Sequence, residues 1–206
     1  MKKYDYVPDM IIIEGPEAGG HLGFTNEELT TNNKPKLEDI TKDVVEYIKN
    51  VEKETKKEIP VIAAGGIWDG KDIKKFLEIG ATGVQMATRF VATTECDASD
   101  EFKKAYINAK KEDIKIIKSP VGMPGRAIYN KFIENTTKEK CKIDKCYNCI
   151  KTCNVANTPY CITKALINAV KGNLEDALIF CGSNVDKIKE IVSVETLMKE
   201  LVCDLV

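Results

Sequence analysis

The chain has 206 residues, of which 43% are hydrophobic and 31% are charged. This ordinary globular composition excludes a disordered, collagen-like or membrane-spanning protein. Thirty-one basic and thirty-two acidic residues give a net charge of -1, which provides no basic surface for nucleic acid or an anionic membrane. The composition therefore favours small molecules or other proteins as partners.

The amino-terminal residues 1–9 carry charge but no apolar segment of the kind found in a secretion signal. Eight cysteines are too few for a secreted disulfide scaffold of this length. The sequence predicts a cytoplasmic protein whose thiols are reduced or bound to metal.

Apolar and amphipathic segments alternate through the first half of the chain. Strands are predicted at 9–14, 60–66 and 83–87, and the first reads as a strand covered on both faces. Apolar residues at helical spacing predict helices at about 40–56 and from Ile73 to a stop at Gly80. This βα alternation predicts a parallel α/β protein.

The second half begins with a predicted helix at 100–110 and changes in texture near Lys118. It becomes rich in turns, and residues 138–159 carry four of the eight cysteines with little apolar periodicity. Three further helices are predicted, at 162–171, 174–181 and 194–203.

The only histidine of the chain, His21, lies among four glycines just after the first predicted strand. Ligands in parallel α/β folds bind at the carboxyl ends of strands, and an imidazole there can act as an acid, a base or a hydrogen-bond donor. A tight turn with an idle imidazole explains the same residues equally well.

Small residues also follow the next two strands, at 63–67 and 85–89. They leave backbone N–H groups free to bind an anion such as phosphate, although small residues at strand ends also serve turn geometry alone.

Three segments in order, EGPEAGGHLG (14–23), PVIAAGGI (60–67) and GVQMATRFVATTEC (83–96), resemble the nitronate monooxygenases, formerly called 2-nitropropane dioxygenases. They also resemble the related flavin-dependent enoyl-acyl-carrier-protein reductase II. The resemblance covers about residues 5–133.

The resemblance implies a (β/α)8 TIM barrel with FMN at the carboxyl ends of its strands. His21 would be the catalytic or substrate-orienting residue. Ala87 departs from the family, which usually has glycine there, and alanine is compatible unless that position needs positive φ. The implied flavin contacts are Glu17, Ala18, Gly19 and Gly20 along the flavin and Gly65, Gly66, Ala87 and Thr88 at its phosphate.

A complete barrel needs roughly 250 residues and eight strands, but the three legible strands match only the family's sixth, seventh and eighth. The predicted fold is therefore a partial barrel at 1–117, made of the last three βα units, followed by a Cys-rich, helical appendage at 118–206. Such a chain would form a homo-oligomer or pair with a missing amino-terminal half.

The leading functional hypothesis from the resemblance is an FMN-dependent enzyme that oxidises alkyl nitronates to a carbonyl compound and nitrite. One alternative is an NAD(P)H-dependent enoyl-acyl-carrier-protein reductase with an enoyl thioester substrate. A second is a truncated, non-catalytic chain that needs a missing amino-terminal half.

Two other features leave alternatives open. Cys141, Cys146, Cys149 and Cys153 have the close spacing of metal ligands, but the flavin families need no metal, so free thiols explain them as well. Arg126 either pairs with a substrate anion or the flavin phosphate, or lies on the surface.

Overall fold

A computed structural model of the chain describes residues 6–31 and 34–205. The strands of these residues form two three-stranded sheets. The strands are β1 (Ile11–Glu14), β2 (Gly20–His21), β3 (Val61–Ala64), β4 (Gly83–Gln85), β5 (Ile114–Lys118) and β6 (Pro124–Ile128). The helices are α1 (Asn26–Thr30), α2 (Leu37–Thr55), α3 (Gly70–Ile79), α4 (Thr88–Val91), α5 (Asp100–Asn108), α6 (Lys131–Lys138), α7 (Ile162–Val170) and α8 (Val194–Val202).

The first sheet is parallel, in the order β1-β3-β4, as the βα alternation predicts. Helices α2 and α3 form between its strands, and Asp69 caps α3 by accepting a hydrogen bond from the Asp72 N–H. Gly80, with φ of 109°, ends α3 as predicted. The two helices bury their apolar stripes against one face of the sheet, where α8 joins them through Leu197 and Leu201.

The opposite face of the first sheet is open. Ile13 is 7% exposed beneath the helices, whereas Ile12 is 50% exposed. The prediction that the first strand is covered on both faces is wrong, because the described part of the chain packs helices against one side only.

The second sheet is antiparallel, in the order β2-β6-β5, and the sequence analysis did not predict it. It joins the glycine-rich segment near His21 to the second half of the chain through the pairing of His21 with Gly125. The predicted boundary between residues 117 and 118 falls inside β5, and the division into two parts stays a prediction.

The predicted helix at 174–181 is wrong. A short 3-10 turn at Leu174–Asp176 is followed by extended chain, in which Phe180 forms a β-bridge with Ala127. The reason is that Leu178 and Ile179 are both buried but pack into different apolar clusters. An extended backbone, not a helix, sends successive side chains to opposite sides.

Residues 139–161 contain neither helix nor strand. Among the residues that the structure describes, no helix has the length and apolarity needed to cross a lipid bilayer.

Candidate functional site

A cavity of about 320 Å³ lies at the carboxyl ends of β1, β3 and β4, beside residues 180–184. Ligand sites of parallel α/β folds lie at this end of the sheet. All eight residues that the sequence analysis assigned to a flavin line this one cavity: Glu17, Ala18, Gly19, Gly20, Gly65, Gly66, Ala87 and Thr88.

The turn after β3 approaches the glycine-rich segment so closely that it requires glycine. Gly65 and Gly66 have φ of +95° and +80°, a region that residues with a Cβ rarely adopt. A Cβ on Gly65 would lie 2.9 Å from the Ala18 Cβ, and one on Gly66 would lie 2.8 Å from the Glu17 Cβ. Backbone therefore faces the cavity at both positions.

Residues 181–184 tie the walls of the cavity together. The N–H of Ser183 donates to the Glu17 carbonyl at 3.1 Å, and the N–H of Gly182 donates to Thr88 Oγ1 at 3.0 Å. Asn184 donates from Nδ2 to the Gly66 carbonyl at 2.8 Å. None of residues 181–184 is among the eight flavin contacts expected from the resemblance, although the resemblance implies that the segment 180–184 lies near the substrate pocket.

The two strand-end turns keep backbone donors available. Within residues 6–31 and 34–205, the N–H groups of Gly65, Gly66, Ala87 and Thr88 have no backbone acceptor. Ala87 has φ of -128°, so this position does not need glycine and the departure from the family pattern leaves its N–H in place. The chemistry of these turns fits an anionic group such as phosphate.

His21 lies beside the cavity and is absent from its lining. Its Nε2 forms a 2.7 Å hydrogen bond with Oγ of the buried Ser119, and its ring packs edge-to-face on Phe180 with centroids 4.9 Å apart. Phe180 also lines the cavity, so its ring packs against His21 and borders the cavity as well. Burial lowers the pKa of His21, which keeps the imidazole neutral at neutral pH.

Arg126 is 4% exposed, so the expectation of a surface position is wrong, whereas its pairing with an anion stays a prediction. Its Nη1 donates to the carbonyls of Pro16 and Ala18 at 2.7 and 2.5 Å. The Arg126 side chain thereby anchors the glycine-rich segment through its backbone, and burial lowers the pKa of the guanidinium group. The sequence does not predict this role of Arg126, because every residue has a backbone carbonyl and the two acceptors therefore cannot be recognised by residue type.

Several other side chains border the cavity. The buried Tyr106 hydroxyl donates to the Phe180 carbonyl at 2.5 Å, and burial raises the pKa of the Cys181 thiol to about 12. Trp68 lines the cavity, and Arg89 lies 4.6 Å from its ring centroid. Two carboxyl groups, Glu14 and Glu17, also line the cavity, and burial raises the pKa of Glu14.

Five cysteines lie in the segment from Cys141 to Cys161, and none of these five lines the cavity described above. Cys146, Cys149 and Cys153 line a second cavity together with Cys161, whereas Cys141 lines a different one. In the described part of the chain, no three Cys, His, Asp or Glu side chains already converge on a point where they could share an ion.

A family model described as nitronate monooxygenase matches residues 2–204. The chain belongs to the nitronate monooxygenase family. Among curated relatives in this family of oxidoreductases, it is 39% identical over 131 residues to a protein of Staphylococcus aureus (strain Newman) named "Probable nitronate monooxygenase". The match covers 63% of this chain and 34% of that relative, so the chain spans about a third of the length of the curated relatives it matches.

Solved structures of similar proteins extend the likeness to nearly the whole chain. FabK from Thermotoga maritima aligns with a TM-score of 0.68 and 26% identity, over 95% of this chain and 54% of that one. A nitroalkane oxidase from Streptomyces ansochromogenes aligns with a TM-score of 0.67 and 24% identity, over 96% and 51%. The fold is the α/β fold of these enzymes, and this chain corresponds to about half of each.

Proposed function

We propose that this chain is the carboxyl-terminal, FMN-binding part of an oxidoreductase that oxidises alkyl nitronates to a carbonyl compound and nitrite. The observation that carries the proposal is the single cavity into which three glycine- and alanine-rich strand ends converge. Membership of the nitronate monooxygenase family supports the choice of nitronates as substrates.

The proposed architecture is the last three βα units of a (β/α)8 barrel, with residues 118–206 beside the site. Three features support it: the parallel order β1-β3-β4, the exposed Ile12 on the helix-free face, and the coverage of about half of each similar solved chain. In a closed barrel that face would be interior and packed by the other strands. We expect these strands to come from an amino-terminal half of the same protein.

The residues present fit FMN. The free N–H groups of Gly65, Gly66, Ala87 and Thr88 would hold its phosphate, and residues 17–20 would lie along the rest of the molecule. When bound, FMN supplies the redox chemistry by accepting electrons from the substrate and passing them to oxygen.

The protein's own contribution to the reaction falls to His21. A nitronate is already an anion, so no C–H proton has to be removed. Nε2 of His21 is hydrogen-bonded to Ser119 Oγ, so Nδ1 is the ring nitrogen that would form a hydrogen bond with a substrate oxygen. In the overall change two nitronate anions consume one dioxygen. In each nitronate the carbon–nitrogen bond breaks, nitrite leaves, and the carbon gains one of the two oxygen atoms, so that atoms and charge balance.

The test uses protein produced from the complete open reading frame that contains this sequence. We expect a flavin spectrum that an alkyl nitronate bleaches without air and NADPH does not, and nitrite release in air. We expect His21→Asn to keep the flavin and to slow turnover by about 10²- to 10⁴-fold. Lys49→Ala, on the exposed face of α2 outside the cavity, is the control and should match the wild type in both respects.

Other outcomes select the alternatives. Bleaching by NADPH and reduction of an enoyl thioester would show the enoyl-acyl-carrier-protein reductase that the motifs also resemble. Failure of the complete protein to bind FMN would refute the proposal and favour a non-catalytic chain. For residues 1–206 alone we expect weak FMN binding, because the phosphate turns are present and the other barrel strands are not.

A further inference from the structure

Four cysteines of residues 139–161 surround one cavity far along the chain from the proposed flavin site. This cavity, of about 190 Å³, is lined by Cys146, Cys149, Cys153 and Cys161. Spacing alone groups Cys141 with the first three, but in the fold it is Cys161, just before α7, that lines this cavity with them, while Cys141 lines an adjoining cavity that shares Cys161 and Tyr160. The set is therefore defined by the tertiary structure.

The same cavity contains a buried polar group that lacks a partner. Tyr160 is 4% exposed, and its hydroxyl makes no hydrogen bond within the described residues. A buried hydroxyl without a partner costs about 1–3 kcal/mol, so such groups normally face something that accepts their proton. A thiolate or sulfide in the cavity would be such an acceptor.

The segment also lacks the usual sources of order. It has neither helix nor strand, and Cys146, Cys149 and Cys153 are all exposed. Segments of this length without regular structure are uncommon in compact proteins unless a ligand or cross-link orders them or they carry function. Metal binding can supply that order, because its free energy also stabilises the folded segment.

The local charges suit several thiolates. Lys151 lines the cavity, and Lys145 lies 5.2 Å from the ring of Tyr147, another lining residue. Lys164 lies on α7, three residues after Cys161, and its Nζ lies 3.7 Å from the Asp144 carboxylate. These ammonium groups would offset the negative charge that four thiolates bring to one metal centre.

We propose that Cys146, Cys149, Cys153 and Cys161 bind one metal centre through four thiolates, with the Tyr160 hydroxyl donating to one of the sulfurs. Each thiol loses its proton to solvent as it binds, and the segment closes until the four sulfurs converge. Four thiolates select zinc or an iron–sulfur cluster, because both are soft centres.

The experiment measures zinc, iron and acid-labile sulfide in the full chain after anaerobic purification. We expect about one zinc ion, or one iron–sulfur cluster with a brown visible spectrum, per chain. Cys149→Ser and Cys161→Ser should each reduce bound metal at least tenfold. Cys141→Ser and Cys203→Ser are matched controls and should retain it. Tyr160→Phe should retain the metal but weaken its affinity by about 10- to 100-fold, the usual effect of removing an outer hydrogen bond.

A second measurement does not depend on the variants folding. In the native wild-type chain, the four cavity cysteines should resist alkylation until a chelator is added, while the exposed Cys203 reacts at once. Metal-free protein whose four cavity thiols react freely, or are paired as disulfides, would overturn the proposal. Loss of metal in Cys141→Ser with retention in Cys161→Ser would overturn this choice of ligands.

Discussion

The close approach of the turn after β3 to the glycine-rich segment makes Gly65→Ala a sensitive probe of the cavity. The added methyl group would lie 2.9 Å from the Ala18 Cβ and 3.0 Å from its backbone nitrogen. Positive φ costs a residue with a Cβ about 1–2 kcal/mol, and overpacking against a wall that includes backbone costs about 1–3 kcal/mol. We expect Gly65→Ala to lower the free energy of unfolding by about 2–5 kcal/mol.

Gly122→Ala separates the two contributions. Gly122 also has positive φ, at +88°, but a Cβ there meets nothing within 4 Å, so only the conformational cost of about 1–2 kcal/mol remains. Both substitutions restrict the unfolded chain equally, and that effect cancels in the comparison. Gly65→Ala should therefore be about 1–3 kcal/mol less stable than Gly122→Ala, or about 2–12 °C lower in melting temperature.

The assay is urea unfolding followed by fluorescence of the single tryptophan, Trp68, and by far-ultraviolet circular dichroism. Trp68 follows the Gly65–Gly66 turn directly, so its fluorescence reports on this wall of the cavity. Coincident transitions by the two probes justify the comparison of free energies. If the two variants differ by less than about 0.5 kcal/mol, the close packing of the turn on Ala18 is refuted.

Three further predictions concern single side chains. Arg126→Met should leave the Pro16 and Ala18 carbonyls without a hydrogen-bond donor and lower the free energy of unfolding by about 2–4 kcal/mol, as measured by urea titration. An effect below about 1 kcal/mol would contradict the anchoring role of Arg126. Asp69→Ala should cost about 0.5–2 kcal/mol in the same assay through loss of the α3 cap, and Asp69→Asn, which keeps an acceptor, should cost less. The proton resonance of His21, the only histidine, should titrate with a pKa below the ordinary value of about 6.5. The free energy of unfolding should therefore fall as the pH drops through about 6.5, because only the unfolded chain then gains this proton. His21→Asn should lose that part of the pH dependence, and a measured pKa at or above about 6.5 would refute the burial argument.

The sequence predicted the elements whose packing is local. Helix α3 ends at Gly80 as expected, and α2 at Leu37–Thr55 lies close to the predicted 40–56. Their apolar stripes bury against the adjacent strands of the same βα units, so periodicity carries the information.

Elements that depend on distant pairing were missed. The sheet β2-β6-β5 joins residues near His21 to residues 114–128, and its edge strand β2 is only two residues long. The predicted helix at 174–181 failed for the same reason, since the pairing of Phe180 with Ala127 decides its extended form. Local patterns contain no signal for such partners.

The features of the candidate site also fall into those that the sequence predicts and those that only the fold shows. The small residues at the strand ends indicated ligand-binding turns, and the family resemblance supplied the eight expected flavin contacts, all of which line the cavity. The hydrogen bonds made by 181–184 and by Arg126 use carbonyl and N–H groups, which every residue has. The sequence therefore does not predict these individual contacts.

The hydrogen bonds around the cavity also set the order in which it can form during synthesis. His21 and Ser119 are 98 residues apart, and Asn184 and Gly66 are 118 apart. The glycine-rich segment leaves the ribosome well before its anchors and stays without them until β6 emerges, and the cavity lacks a wall until residue 184 follows. Domains form as units behind the growing chain, so any ligand of this cavity is captured only after residue 184 has emerged.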